Sequence, residues 1–216
     1  MNQTNSSKGK ILNCALELFA SQGYENTSLD QIAKHAKLTK GAIYWNFKNK
    51  EDLFITLFEN EIKKYLNHIQ FRTRDITDPV KLLETIFKEN CNYYLSTPNF
   101  CKISHLVLTN KKLNTNEKIQ GFTAKIQNDL YLMLKNAFEE GIFTKKIALN
   151  ATESLISTFG VILDGIMLQI IFDQQPESIR KAVDTTWSIF IKGIKEMEDE
   201  VVPKTISLAF QPEEKI

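Results

Sequence analysis

Glycine and proline are scarce in this chain, 8 and 5 among 216 residues. With so few chain breakers, long helices are favoured. Cysteine is scarce too. Cys14, Cys91 and Cys101 are odd in number, widely spaced and form no C-x-x-C pair. That excludes a disulfide framework and reads as reduced thiols. Metal and catalytic signatures are missing. His35, His68 and His105 lie far apart, with no H-E-x-x-H and no Cys/His ligand spacing. Neither a G-x-S-x-G elbow, a P-loop nor a G-x-G-x-x-G run occurs. No enzyme, no metal site and no cofactor are therefore expected. The longest apolar run, Val161 to Phe172, is interrupted by Asp164 and Gln169 and reads as too short to span a bilayer. The first ten residues, MNQTNSSKGK, lead into a helix carrying Glu17 and lack signal-peptide architecture. A soluble, cytoplasmic protein with no membrane partner is the expectation.

What is present is apolar and unevenly charged. Hydrophobic residues make up 43% of the chain, which supports a sizeable core. The formal net charge of +1 hides an asymmetry. Residues 1–50 hold seven lysines against Glu17, Glu25 and Asp30, a net +4, and the remainder carries −3. A polyanionic partner would meet the basic head.

Apolar spacing predicts helices throughout and no convincing strand. The first helix runs from about Lys8 to Gln22, with Ile11, Leu12, Ala15, Leu18 and Phe19 on one stripe, and ends at Gly23. Thr27 is expected to cap a second helix, with Asp30 reaching back. Thr39 caps a short third helix through Phe47, and Asn49 with Asp52 opens a long fourth to about Phe71. Asp78-Pro79 opens a fifth, about 78–96. Pro98 and the cluster 111–116 bracket a sixth. A seventh runs from about Asn116 to Glu140 and stops at Gly141. Asn150 with Glu153 caps an eighth, to about Phe172, and Pro176 opens a ninth. Residues 199–216 read as a tail, whose Ile206, Leu208 and Phe210 could dock on the body. Three units follow: a helix-turn-helix at 1–48, a helical effector-binding and dimerisation region at 49–198, and the tail.

The first three helices, the last two joined by a three-residue turn, suit helix-turn-helix geometry. Ala33, Ala36 and Gly41 are small enough for close helix crossing. Leu38, Ile43 and Phe47 supply the inner side of the third helix. Lys40, Ala42, Tyr44, Trp45 and Asn46 remain for its outer side. The stretch from Ile11 to Phe58 resembles the DNA-binding region of the TetR/AcrR family of transcriptional regulators. The marks are A-x-x-L-F-x-x-x-G-Y (Ala15–Tyr24), T-S-L-D-x-I-A (Thr27–Ala33) and T-K-G-A-I-Y-W-N-F-K-N-K-E-D-L (Thr39–Leu53).

This resemblance implies an all-α, nine-helix, two-domain architecture and a set of roles. Lys40, Ala42 and Trp45 would face base edges in the major groove, where lysine meets guanine acceptors and a methyl packs on thymine. Tyr44, Asn46, Thr27, Thr39 and Lys50 would contact phosphates, which set register. Ser28, Gly41 and Lys48 complete the candidate DNA-binding set. One departure matters: many relatives carry Tyr or His where this chain has Trp45 and Asn46, so no operator can be borrowed from them.

For the body, the resemblance implies a ligand pocket within helices four to seven and a dimeric four-helix bundle from helices eight and nine. Polar and aromatic residues on apolar faces are the candidate effector contacts: Phe87, Asn90, Tyr93, Tyr94, His105, Phe122 and Ile126. Each also reads as ordinary core. Candidate dimer-interface residues are Asp164, Gly165, Leu168, Val183, Trp187, Phe190 and Ile194. The leading expectation is a homodimeric repressor that binds a pseudo-palindromic operator on double-stranded DNA. A small apolar or amphipathic effector would release it, with the fourth helix as lever. The competing expectation is the same fold without an effector, acting through protein contacts or DNA occupancy.

Overall fold

The computed structural model describes residues 7–147, 152–172 and 175–196. Among these residues there are ten helices and no strand. A head is made by α1 (Ser7–Gln22), α2 (Leu29–His35) and α3 (Lys40–Asn46). The long α4 (Lys50–Thr73) leads from it into a body of α5 (Pro79–Ser96), α6 (Pro98–Thr109), α7 (Lys111–Asn114), α8 (Glu117–Phe143), α9 (Thr152–Phe172) and α10 (Pro176–Glu196). The tenth helix is α7, a single turn inside the segment expected to be only a break. Asn110 supports it, accepting the Leu113 amide on its side chain at 3.2 Å. The expected Asn150 cap and the 199–216 tail lie outside the described residues.

The head folds much as its spacing dictates. Ile11, Leu12, Ala15, Leu18 and Phe19 are the buried stripe of α1. Gly23 takes φ +81 and its N–H donates to the Phe19 carbonyl at 3.0 Å, closing the helix as a left-handed residue can. The cap of α2 sits one residue later than expected. Ser28 Oγ accepts the Gln31 amide at 3.2 Å, and the Ser28 amide donates to Gln31 Oε1 at 2.7 Å. Thr27 turns inward instead: it is 1% exposed, and its hydroxyl donates to the Gly23 carbonyl at 2.8 Å. A carbonyl left over at the end of α1 thus gains a partner. The caps of α3 and α4 are those expected, Thr39 accepting from Ala42 at 3.2 Å and Asn49 from Asp52 at 2.8 Å.

Phe54 and Phe58 of α4 stack on one another, and Phe54 packs edge-on to Phe19 and Tyr24. The core of the head therefore continues past residue 48 into α4 and fixes the direction in which that helix leaves. In the body a second aromatic run, Phe87, Phe138, Phe159, Trp187 and Phe190, joins α5, α8, α9 and α10.

Gly141 does not end α8, which continues to Phe143. A Cβ at Gly141 would run into the side chain of Ile147. Its carbonyl accepts from the amides of Lys146 and Ile147 at 2.8 and 3.0 Å. The glycine allows this close return of the chain, and Lys145, at φ 56, makes the left-handed turn. At 21 residues α9 is longer than the Val161–Phe172 run. Among the described residues it alone is long and apolar enough, by length and composition, to cross a membrane. It packs instead on α5, α6, α8 and α10.

Candidate DNA-contacting helix and effector cavity

The geometry of α3 separates its two sides cleanly. Ile43 is fully buried and Phe47, at its C-cap, nearly so. Facing outward, Tyr44 is 51% exposed and Trp45 90%. An indole that open to water gains nothing from the fold of its own chain. Lys40 and Gly41 are exposed beside it. Gly41 is not a packing glycine: a Cβ there would meet only the Thr39 hydroxyl, at 3.8 Å. Of the two small residues expected beside it, Ala33 is buried and Ala36, the C-cap of α2, is half-buried.

Polar groups of the set divide into engaged and free. Lys40 Nζ donates to Asp30 Oδ2 of α2 at 2.9 Å, a bond that raises the lysine pKa above its ordinary value. Asn46 is half-buried and donates to the Ala42 carbonyl at 2.8 Å. Ser28 and Thr39 are exposed but serve as caps. Lys48 is exposed. Two expected phosphate contacts are otherwise occupied. Thr27 is buried, and Lys50 Nζ donates to the carbonyls of Tyr24 at 2.8 Å and Glu25 at 3.3 Å. Lys50 also lies 4.5 Å from the centre of the Tyr24 ring.

In the body, α4, α5, α8 and α9 line a cavity of about 660 Å³ that opens widely to solvent, within the size range of small-molecule sites. Leu130, Leu134, Ile156, Phe159 and Leu163 form apolar wall; Tyr65, Asn90, Tyr94 and Asp164 form its polar side. Tyr65 Oη donates to Asn90 Oδ1 at 2.5 Å, and Asn90 Nδ2 donates to the Ile86 carbonyl at 2.7 Å. The polar atoms of Asn90 are thus satisfied at 1% exposure. Burial raises the pKa of Tyr65 and Tyr94, which stay neutral phenols. Desolvation by the cavity wall also raises that of the Asp164 carboxyl, although the residue as a whole is exposed.

Of the seven expected effector contacts, Asn90 and Tyr94 line this cavity; the other five do not. Phe87 is spent on Phe159 and Trp187, and Tyr93 on Tyr65, His68 and Phe100. His105 lies edge-on to Phe172, Phe122 is half-buried elsewhere on α8, and Ile126 is core. Tyr65, Gln127, Asn128 and Ser157 line it without having been singled out, and Tyr131, one of the aromatics weighed as cavity lining, lines it too. Tyr65 could be found only by pairing α4 with α5, since its partner is 25 residues away.

The expected interface residues also separate. Val183, Trp187 and Ile194 are buried against the chain's own body, and Phe190 packs on Phe138, Phe159 and Trp187. Asp164 lines the cavity. Gly165 and Leu168 are exposed, in line with Val161 (72% exposed) and Phe172 (75%) on α9 and close in character to Ile189 on α10. The open apolar face is therefore chiefly that of α9. The α10 stripe is internal because Trp187 packs on Phe87 and Phe190 on Phe159.

Body and head meet where α6 packs on α1 and where Lys112 reaches Glu51 at 3.5 Å, and two asparagines add hydrogen bonds across the join. Asn116 caps α8, its Oδ1 accepting the Lys118 and Ile119 amides at 3.1 and 3.3 Å, while its Nδ2 donates to Glu51 Oε1 in the first turn of α4 at 2.7 Å. Asn110 donates to Glu25 at 3.3 Å. No cluster of three His, Cys, Asp or Glu side chains occurs among the described residues. His35 pairs with Glu17 and His68 with Glu89, each at 2.9 Å.

Comparison with known proteins gives a consistent picture. Residues 11–57 match the family described as bacterial regulatory proteins, tetR family. The fatty acid metabolism regulator protein of Bacillus subtilis (strain 168) is 22% identical over 194 residues, 90% of this chain and 98% of that protein. Two solved structures share the fold. FadR from Bacillus subtilis, in complex with stearoyl-CoA, superposes with a TM-score of 0.70 at 20% identity, covering 86% of this chain and 98% of that one. AibR, in complex with isovaleryl coenzyme A and operator DNA, gives 0.69 at 22% identity, covering 85% and 97%.

Proposed function

A member of the TetR family of bacterial regulatory proteins and a DNA-binding transcription regulator, this chain is, we propose, a homodimeric repressor released from its operator by an amphipathic ligand. Its kinship is with regulators rather than enzymes. The observation that carries the reading is the 90% exposure of Trp45 on α3, directly above the sealed Ile43 and Phe47. Such a helix offers indole, phenol and ammonium groups to a groove while its own core stays closed. Residues 1–48 would act as the head and 49–198 as the effector-binding and dimerising body, in the cytoplasm where operator DNA lies.

Dimerisation through the open face of α9, with Val161, Leu168 and Phe172, would bury apolar surface that one chain leaves in water. Two heads related by a two-fold axis then match a pseudo-palindromic operator only at one spacing, about one helical turn or a multiple. The 660 Å³ cavity is the effector site of this reading. One of its walls is α8, whose cap Asn116 also grips Glu51, a few residues beyond α3. A ligand that binds better to a shifted α8 would move the head and break the spacing. Because FadR and AibR were solved with acyl thioesters, that class is the first to try: an acyl chain suits the leucine and phenylalanine wall.

The test begins with selection of genomic fragments by the purified protein. A shared inverted repeat, released by stearoyl-CoA or a shorter acyl-CoA, is the expected result. Enrichment without a shared motif would instead favour a protein acting by DNA occupancy. Sedimentation of V161E, expected to be monomeric and unable to hold the repeat, tests the interface.

A further inference from the structure

The head of this chain holds three acidic residues, and each has a distinct partner. Glu17 is bound by His35, Glu25 accepts from Asn110 of the body, and Asp30 takes the ammonium of Lys40. Among the described head lysines, Lys40 is the one whose ammonium is held by a carboxylate. It stands at the first residue of α3, one turn from Tyr44 and Trp45, while Asp30 stands in the first turn of α2. Both side chains are about three-fifths exposed. The pair therefore contributes little to the fold, since an ion pair in water is nearly balanced by hydration. Its position matters more than its strength. A carboxylate is fixed 2.9 Å from the cation best placed to enter a DNA groove.

We propose that Asp30 is a specificity-determining residue, a built-in competitor that DNA must displace before Lys40 can engage. This rests on the reading that α3 enters DNA. On any duplex, phosphates attract lysines regardless of sequence and release counterions. Asp30 opposes that attraction twice, by neutralising Lys40 and by repelling the nearest phosphate. On the correct site, a close base acceptor can replace the carboxylate bond for bond, so the loss is made good. On other DNA the ammonium meets only backbone charge and the loss stands. The carboxylate thus lowers all binding but lowers non-specific binding more, which widens the ratio between the two. Asp30 also favours its own helix, being a negative charge at the N-terminus of α2, so its two roles do not conflict.

The experiment measures the affinity of the full chain for a labelled duplex of scrambled sequence and for a duplex enriched from genomic DNA. D30N is expected to bind the scrambled duplex about two- to fivefold tighter, the scale of an exposed ion pair, and to gain less on the enriched one. In a K40A background the D30N gain shrinks to the part that comes from repelling the phosphate. E17Q, which makes the same change in net charge at a site not touching Lys40, gains less than D30N. A D30N protein that binds scrambled DNA no tighter than the parent overturns the proposal, as does a gain that survives K40A intact. Failure of the underlying reading looks different: K40A alone would then leave both affinities unchanged.

Discussion

The side chain of Asn116 grips two helices at once: its carbonyl oxygen caps α8, and its amide donates to Glu51 at the start of α4, 2.7 Å away. Substitution separates the two jobs. N116A removes both and is expected to lower stability by about 1 kcal/mol, the usual worth of a cap. N116D keeps an acceptor for the cap but sets a carboxylate against Glu51. Its melting temperature should fall less than that of N116A, while its operator affinity departs further from the parent. Thermal melts and anisotropy titrations on the same preparations decide; an N116D protein that keeps the parent's operator affinity would mean that Asn116 does no more than cap.

Trp45 and Phe47, two residues apart at the end of α3, have opposite assignments. W45A should leave stability within about 0.5 kcal/mol of the parent, because its indole is 90% exposed, yet weaken operator binding about tenfold or more. F47A should do the reverse, costing about 3–5 kcal/mol through a cavity in the head. Trp45 and Trp187 are the two tryptophans of the chain, and Trp187 is buried. In W187F, DNA should therefore change the remaining fluorescence; an unaltered spectrum would place α3 away from the duplex.

Gly141 offers a packing test with a counterintuitive sign. Glycine to alanine inside a helix ordinarily stabilises by up to about 1 kcal/mol. Here the new methyl would strike Ile147, so G141A is expected to destabilise by about 1–3 kcal/mol. Trimming the neighbour should relieve the clash: G141A/I147A is expected to lose less than the sum of the two single variants, measured by denaturant unfolding.

Asp164 sets a pH dependence. Partial burial holds its folded pKa above the ordinary 3.8, so the folded chain disfavours the charged carboxylate relative to the unfolded chain. The stability associated with this group is full in acid and is lost as pH rises through the folded pKa. D164N should therefore melt higher than the parent at neutral pH, with the gain narrowing toward acid. A gain that is constant across pH would point to packing rather than charge.

The head was largely legible in the chain, and the cavity was not, for physical reasons. Caps and helix stops involve residues a few positions apart, so Gly23, Thr39, Asn49 and Asp78 could be read directly. Where two hydroxyls compete, as Thr27 and Ser28 do, only the surroundings decide, and the carbonyl of Gly23 drew Thr27 inward. A cavity depends on what four helices leave unfilled between them, which no single stripe records. Asn90 was visible as a polar break on an apolar face, whereas nothing local marks Tyr65 until α5 is set beside α4. The stripe on α10 announced burial without saying against what. Trp187 and Val183 satisfy it inside their own chain.

The apolar strip along α9 reaches beyond structure, to how many molecules a cell must hold. In the proposed dimer, docked through Val161, Leu168 and Phe172, the chain would engage a palindrome only as a pair. Below the dissociation constant of that pair, dimers, and hence operator occupancy, grow with the square of chain number rather than in proportion to it. Silencing would then switch on over a narrow span of copy number, so that a modest change in synthesis or turnover shifts a promoter from open to closed.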